Sequence, residues 1–164
     1  RRRLLASDEM VEAGIPRFAA ARREALDALQ TAMGASRSLD DPTEEARCIG
    51  TMCWFSSVVH PSYQRFHRPE RFAESEAAHA AVKENGRKLF WANLQEIDSM
   101  IEANDWVMGR EFTAVDPYAL VFYGWGERSG FPMKELSAYT AWQERMMKRP
   151  TVKKSVESEQ KAAT

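Results

Sequence analysis

The chain has 164 residues, enough for one domain that buries about two-thirds of its unfolded surface and short for two. Hydrophobic residues make up 44% and charged residues 29%, a globular balance that excludes a disordered tail. The 23 Lys plus Arg against 24 Asp plus Glu leave a net charge of −1, too weak a field to hold nucleic acid or an anionic membrane surface.

Eight glycines and seven prolines are few for the turns of an all-β sandwich, whereas Ala, Glu, Lys, Arg, Met and Gln favour helices. The chain opens on Arg1-Arg2-Arg3-Leu4-Leu5 without an initiator methionine, which fits a cut product, a processed organelle-targeted chain or a partial sequence alike. From Asp8 to about Met33, Ile15, Phe18, Leu26 and Leu29 recur at rough helical spacing and Pro16 interrupts the first part, predicting one weak helix and one better one. Gly34 to Asp41 is a small, polar linker, so residues 1–41 read as a helical extension and 42–164 as the main domain.

Pro42, Thr43, Glu44 and Glu45 suit a helix start, and the helix is expected to run toward His60 until Pro61 breaks it. Its predicted apolar stripe is Ala46, Ile49, Cys53 and Ser57 with Trp54 and Val58 beside them. Cys48 and Cys53 lie five residues apart on different faces, which argues against a disulfide and for buried small hydrophobes. Unpaired thiols suit a reducing compartment such as the cytoplasm or an organelle matrix or stroma.

The segment from about Glu74 to Ala103 predicts the longest helix, with Val82, Leu89, Phe90, Leu94, Ile97 and Ile101 on its face. Gly86 inside it suggests a close helix contact. A further helix is expected from Thr113, carrying Tyr118, Phe122 and Trp125, and another from about Lys134, carrying Leu136, Tyr139, Trp142 and Met146. Pro150 ends that one, and a last short helix holds Val152 and Val156. No useful strand alternation occurs, so an all-α helical bundle is expected. No apolar run approaches a membrane span, and no signal-peptide core is present.

Phe112-Thr113-Ala114-Val115-Asp116 reads as a structural capping box: Thr113 as N-cap accepts from the Asp116 amide, and the Asp116 carboxylate reaches back to the Thr113 amide. Phe112 would staple onto Pro117, whose ring crowds this start. His60, His67 and His79 form no metal-ligand pattern, so no metal is expected. His60 draws interest because it closes an apolar helix, where an imidazole can serve a ligand or the last carbonyls. Tyr63, Phe66, Tyr118, Phe122, Trp125 and Trp142 are core aromatics or the lining of an apolar pocket. Arg22-Arg23 and Lys153-Lys154 are short basic pairs without interleaved aromatics and read as solvated faces. Neither a phosphate loop nor a nucleophile with its base is present, so no catalytic residue is assigned.

Together, "WVMGREFTAVDPYALVFYGWGERSGF" and "LSAYTAWQERMMKRPTVKKSVESE" resemble the C-terminal all-α domain of glutathione transferases, the bacterial, beta-like class fitting best. Trp106, Gly109, Thr113, Asp116, Tyr118, Trp125, Arg145, Met146, Arg149, Pro150 and Val152 fall in step, and "CWFSSVVHPSYQRFHRPE" resembles the helix that ends beside glutathione. The resemblance spans about Pro42 to Glu159. It implies a glutathione-side role for His60 and a hydrophobic-substrate pocket near Tyr63, Tyr118 and Trp125. Val58 stands where the family has a glutamate, and Pro61 where a lysine is common.

The family's thiol-activating Cys, Ser or Tyr belongs to an N-terminal thioredoxin-like domain. Residues 1–41 hold at most an echo of its last helix in Met10 to Ala20, with Ala13 in place of the serine, or a linker from it. Conjugation needs a thiolate whose pKa is lowered at the sulfur. The resemblance therefore implies a non-catalytic interaction or accessory subunit of a larger assembly, with a protein partner or homodimer, and glutathione or a hydrophobic small molecule as ligand. The alternative is part of an active transferase that conjugates glutathione to hydrophobic electrophiles.

Overall fold

The computed structural model describes residues 42–162, and the predictions for the extension, including Met10 to Ala20, Ala13 and the Arg22-Arg23 pair, lie outside the described residues. Among the described residues there are six α-helices and no strand beyond one isolated bridge between Trp106 and Gly109. The helices are α1 (Pro42–Trp54), α2 (His60–His67), α3 (Glu76–Glu102), α4 (Val115–Arg128), α5 (Ser137–Met147) and α6 (Pro150–Ala162). None of them is long and apolar enough to cross a membrane.

Pro61 does not break the first helix as expected. α1 passes into α2 through a π-helical turn at Phe55–Val59, in which the His60 amide donates to the Phe55 carbonyl five residues back. Pro61 has no amide to offer the Ser57 carbonyl, and its ring clashes with that carbonyl in a regular α-turn, so a wider turn just ahead of it accommodates the ring. The hydroxyls of Ser56 and Ser57 both donate to the Cys53 carbonyl, at 3.0 and 2.6 Å, within this segment.

The expected stripe on α1 is also corrected. Cys48, Phe55, Val59 and Ser62 are buried, while Ala46, Ile49, Cys53, Ser57 and Val58 face outward, Ile49 being 57% and Val58 44% exposed. The residue added by the π-turn rotates the following face by roughly 100°, a shift that strict 3.6-residue counting misses. Cys48 is the buried thiol of the expected pair and Cys53 is exposed, both of them free.

The long helix matches its prediction to within two residues at its start and one at its end. Phe90, Leu94, Ile97 and Ile101 form its buried row, whereas Leu89 is exposed, one position off that row. At Gly86, a Cβ would lie 2.8 Å from the Arg65 carbonyl carbon and collide with the Phe66 amide nitrogen, so α2 and α3 touch backbone to backbone. The close contact expected of this glycine is present.

α5 starts at Ser137 rather than near Lys134, after a 3₁₀ turn at Met133–Glu135. Its early amide at Tyr139 is satisfied from another helix, by the Asp98 carboxylate of α3 at 2.7 Å. Tyr139, Trp142 and Met146 are fully buried with Phe55, Val59, Phe122 and Leu94 in one core. The buried Tyr139 hydroxyl donates to the Ala119 carbonyl of α4 at 2.6 Å, which locks α5 onto α4.

Candidate functional site

α4 is held by a buried carboxylate. Gly109 takes φ 128°, a conformation that side chains disfavour, and allows the turn in which Trp106 and Gly109 exchange backbone hydrogen bonds of 2.8 and 3.0 Å. That turn presents the Val107 amide to Asp116 Oδ1 at 3.0 Å, and Trp142 Nε1 of α5 donates to the same oxygen at 3.1 Å. Asp116 Oδ2 accepts from the Thr113 amide at 2.8 Å and from the Thr113 hydroxyl at 3.3 Å.

The carboxylate half of the expected capping box is therefore formed, and the threonine half is shifted. Thr113 Oγ1 accepts from the Val115 amide at 3.3 Å, while the Asp116 amide bonds the Thr113 carbonyl instead, and the helix begins at Val115. Burial pushes the Asp116 carboxyl up, and these donors oppose the push. Phe112 packs edge-on to Trp106 with the Arg149 guanidinium 3.9 Å above its ring.

Four residues singled out by sequence, His60, Tyr63, Tyr118 and Trp125, meet between α2 and α4. His60 packs edge-on against Trp125 at 5.0 Å between ring centres, and Tyr63 stacks on the same indole at 4.3 Å. Tyr118 Oη lies 3.4 Å from His60 Nδ1, and Gln64 Nε2 lies 3.1 Å from His60 Nε2. With Gln64 Nε2 donating, His60 Nε2 accepts and its hydrogen resides on Nδ1, toward the Tyr118 oxygen. The Tyr118 hydroxyl hydrogen is then left for another acceptor. Gln64 was not singled out from sequence, although its place four residues after His60 puts it on the same helix face.

Burial lowers the His60 pKa from its ordinary 6.5 and raises that of Tyr118, so both are neutral at pH 7. The unfolded chain binds the His60 proton more tightly, so this residue's contribution is complete above pH 6.5 and is lost as pH falls through that value toward the folded-state pKa. In an NMR titration, His60 is expected to titrate below 6.5 with the hydrogen on Nδ1 in its neutral form. Titration above that value contradicts this environment.

The aromatic rings fill much of the space between one another. A broad, open concavity of about 320 Å³ lies instead along Arg47, Gly50, Thr51, Trp54, Met100 and Met108, and none of the four residues lines it. Among the described residues no cluster of three His, Cys, Asp or Glu is placed to hold a metal.

No protein-family model matches the chain. It is 22% identical over 109 residues to glutathione S-transferase GST-4.5 of Xanthomonas campestris pv. campestris, a match covering 65% of this chain and 53% of that protein. Its structure resembles that of a glutathione transferase homologue from Sulfitobacter, solved with bound glutathione, with TM-score 0.66, 22% identity, and coverage of 73% of this chain and 64% of that one. It also resembles FzlA from C. crescentus, with TM-score 0.57 and 23% identity over 71% of this chain and 54% of that one. The chain thus spans between about half and two-thirds of each of these relatives. The Xanthomonas and Sulfitobacter relatives carry glutathione-transferase names, and the described residues of this chain form an all-α bundle of the C-terminal type in that fold.

Proposed function

We propose that this domain of glutathione-transferase C-terminal fold offers a neutral, aromatic ligand edge and acts as a non-catalytic, accessory part of a larger assembly. The observation that carries this reading is the convergence of His60, Tyr63, Tyr118 and Trp125 on one edge. A neutral imidazole and a free phenolic hydrogen suit an uncharged or thiol-bearing stretch of a ligand, and the two rings suit an apolar substituent.

The residues present fit glutathione in part. His60, Gln64 and Tyr118 supply neutral hydrogen-bonding groups, and none of these residues carries the positive charge that a glutathione carboxylate would meet. The resemblance places a glutamate and a lysine at positions that here are Val58, 44% exposed, and Pro61. No cation stands among the cluster's side chains to hold a bound thiolate. What the cluster does is orient a ligand and exclude water from one side of it.

A second reading has this domain positioning the electrophile in an active transferase whose thioredoxin-like part activates the thiol. The Sulfitobacter homologue with bound glutathione favours it. Titration of the chain with S-hexylglutathione, followed by tryptophan fluorescence, separates the readings when paired with an assay of glutathione conjugation to chlorodinitrobenzene. The expected result is binding that His60→Ala weakens by about tenfold, the usual worth of a hydrogen bond and a ring contact, with no turnover above the uncatalysed rate. Turnover by the chain overturns the non-catalytic reading. Binding indifferent to His60→Ala removes the site.

A further inference from the structure

A second aromatic cluster, continuous with the first through Tyr63 and Phe66, carries cations rather than neutral groups. The Tyr63 and Phe66 rings lie 6.2 Å apart, and Phe66 meets Phe131 edge-on at 5.7 Å. The Arg87 guanidinium stands 4.3 Å from the Phe131 ring centre and 5.5 Å from that of Phe66, with Lys83 Nζ 5.8 Å from Phe66. On the neighbouring turn, Arg65 lies 5.5 Å from the ring of Phe72, which is itself 43% exposed. These positions are brought together by the close α2–α3 approach at Gly86.

Among the described residues the three cations have no carboxylate partner. The ion pairs among the described residues join Arg47 to Glu44, Lys88 to Glu84, Arg145 to Asp105 and Lys153 to Glu157, and none includes Arg65, Lys83 or Arg87. Glu84, the nearest acidic residue in sequence to Lys83 and Arg87, is taken by Lys88 at 2.6 Å. A guanidinium laid on a ring loses water from one face while the N–H groups at its edge can serve a carboxylate; Arg87 Nη1 makes one long hydrogen bond, to the Ser129 carbonyl at 3.4 Å, and its other edge groups are available.

We propose that Arg65, Lys83 and Arg87, mounted on Phe72, Phe66 and Phe131, form a docking surface for an acidic segment of a partner protein. Charge complementarity selects this occupant. A carboxylate-bearing segment neutralises all three cations at once, and one apolar side chain of that segment covers the exposed ring of Phe72. Single-stranded nucleic acid fits less well, because cations occupy faces of Phe66 and Phe131 on which bases would stack. This surface adjoins the ligand edge at His60 through Tyr63 and Phe66, but none of its three cations belongs to that edge.

The test uses the full chain and a fluorescein-labelled, glutamate-rich peptide containing one phenylalanine, read by fluorescence anisotropy. Controls are the same peptide with glutamine for glutamate, and a labelled oligodeoxythymidine. The acidic peptide is expected to bind in a salt-sensitive manner, the Arg65→Gln/Arg87→Gln double variant to weaken it by about tenfold, and Lys153→Gln/Lys154→Gln to leave it unchanged. Arg87→Lys, which keeps the charge and loses the fork, is expected to fall between. Helical circular dichroism of each variant confirms its fold. Equal binding of the glutamine peptide, indifference to the double variant, or tighter binding of the oligonucleotide overturns the proposal. So does a dimer that dissociates in the double variant, which would make a second copy of this chain the occupant.

Discussion

Replacing Asp116 by alanine is expected to lower the stability of the domain by about 3–5 kcal/mol, the range for breaking a buried charged network. The carboxylate is completely buried and accepts from the Val107 amide, the Thr113 amide, the Thr113 hydroxyl and the Trp142 indole. Alanine would strand these donors in the core with no water to replace the lost acceptor, and each stranded donor costs about 1–3 kcal/mol. The effect reaches beyond one helix end, because the same side chain ties the loop at Val107 and helix α5 at Trp142 to the start of α4. Asp116→Asn, which keeps one acceptor oxygen, is expected to cost less than Asp116→Ala. Urea unfolding followed by circular dichroism measures both. A loss below about 1 kcal/mol for alanine, the worth of a simple helix cap, contradicts the network.

The second large effect is expected at Gly86. In an exposed helix interior, Gly→Ala stabilises by about 1 kcal/mol, so propensity alone predicts a gain. Here the added methyl would meet the backbone of Arg65 and Phe66, neither of which can swing aside like a side-chain tip. The helices must separate, which loosens the contacts of Tyr63 and Phe66 with Phe90 and Phe131. Gly86→Ala is therefore expected to destabilise by about 1–3 kcal/mol net, the usual cost of overpacking, and Gly86→Val by more. A rise in thermal midpoint for Gly86→Ala would show that α2 and α3 do not touch at this point. The same separation would disturb the Arg65 and Arg87 surface and the stacking of Tyr63 on Trp125.

Helix α3 was legible because its apolar residues recur at a regular period and no proline interrupts them, and Gly86 signalled a contact because it stands in a helix where it costs stability. The α1–α2 junction was not legible. Pro61 ordinarily reads as a stop, and periodicity counted at 3.6 residues per turn has no means of finding a π-turn, so the buried face fell on Cys48, Phe55 and Val59 instead of Ile49 and Cys53. The site residues His60, Tyr63, Tyr118 and Trp125 were found through resemblance rather than local pattern, since His60 and Tyr118 are 58 positions apart.

By itself the sequence determined an all-α bundle, its helix order, the reach of Asp116 back to the Thr113 amide and the identity of four residues worth placing together. The first three are consequences of local periodicity and of hydrogen bonds spanning a single helical turn, which chain neighbours alone dictate, whereas the four residues came from resemblance. Only the tertiary structure decided that Asp116 also holds Val107 and Trp142, that Tyr118 reaches His60, and that Arg87 rests on a ring 44 positions later in the chain. Each depends on where separate helices cross, which is set by backbone approach at Gly86 and by packing around Trp142 rather than by the order of residues along any one helix.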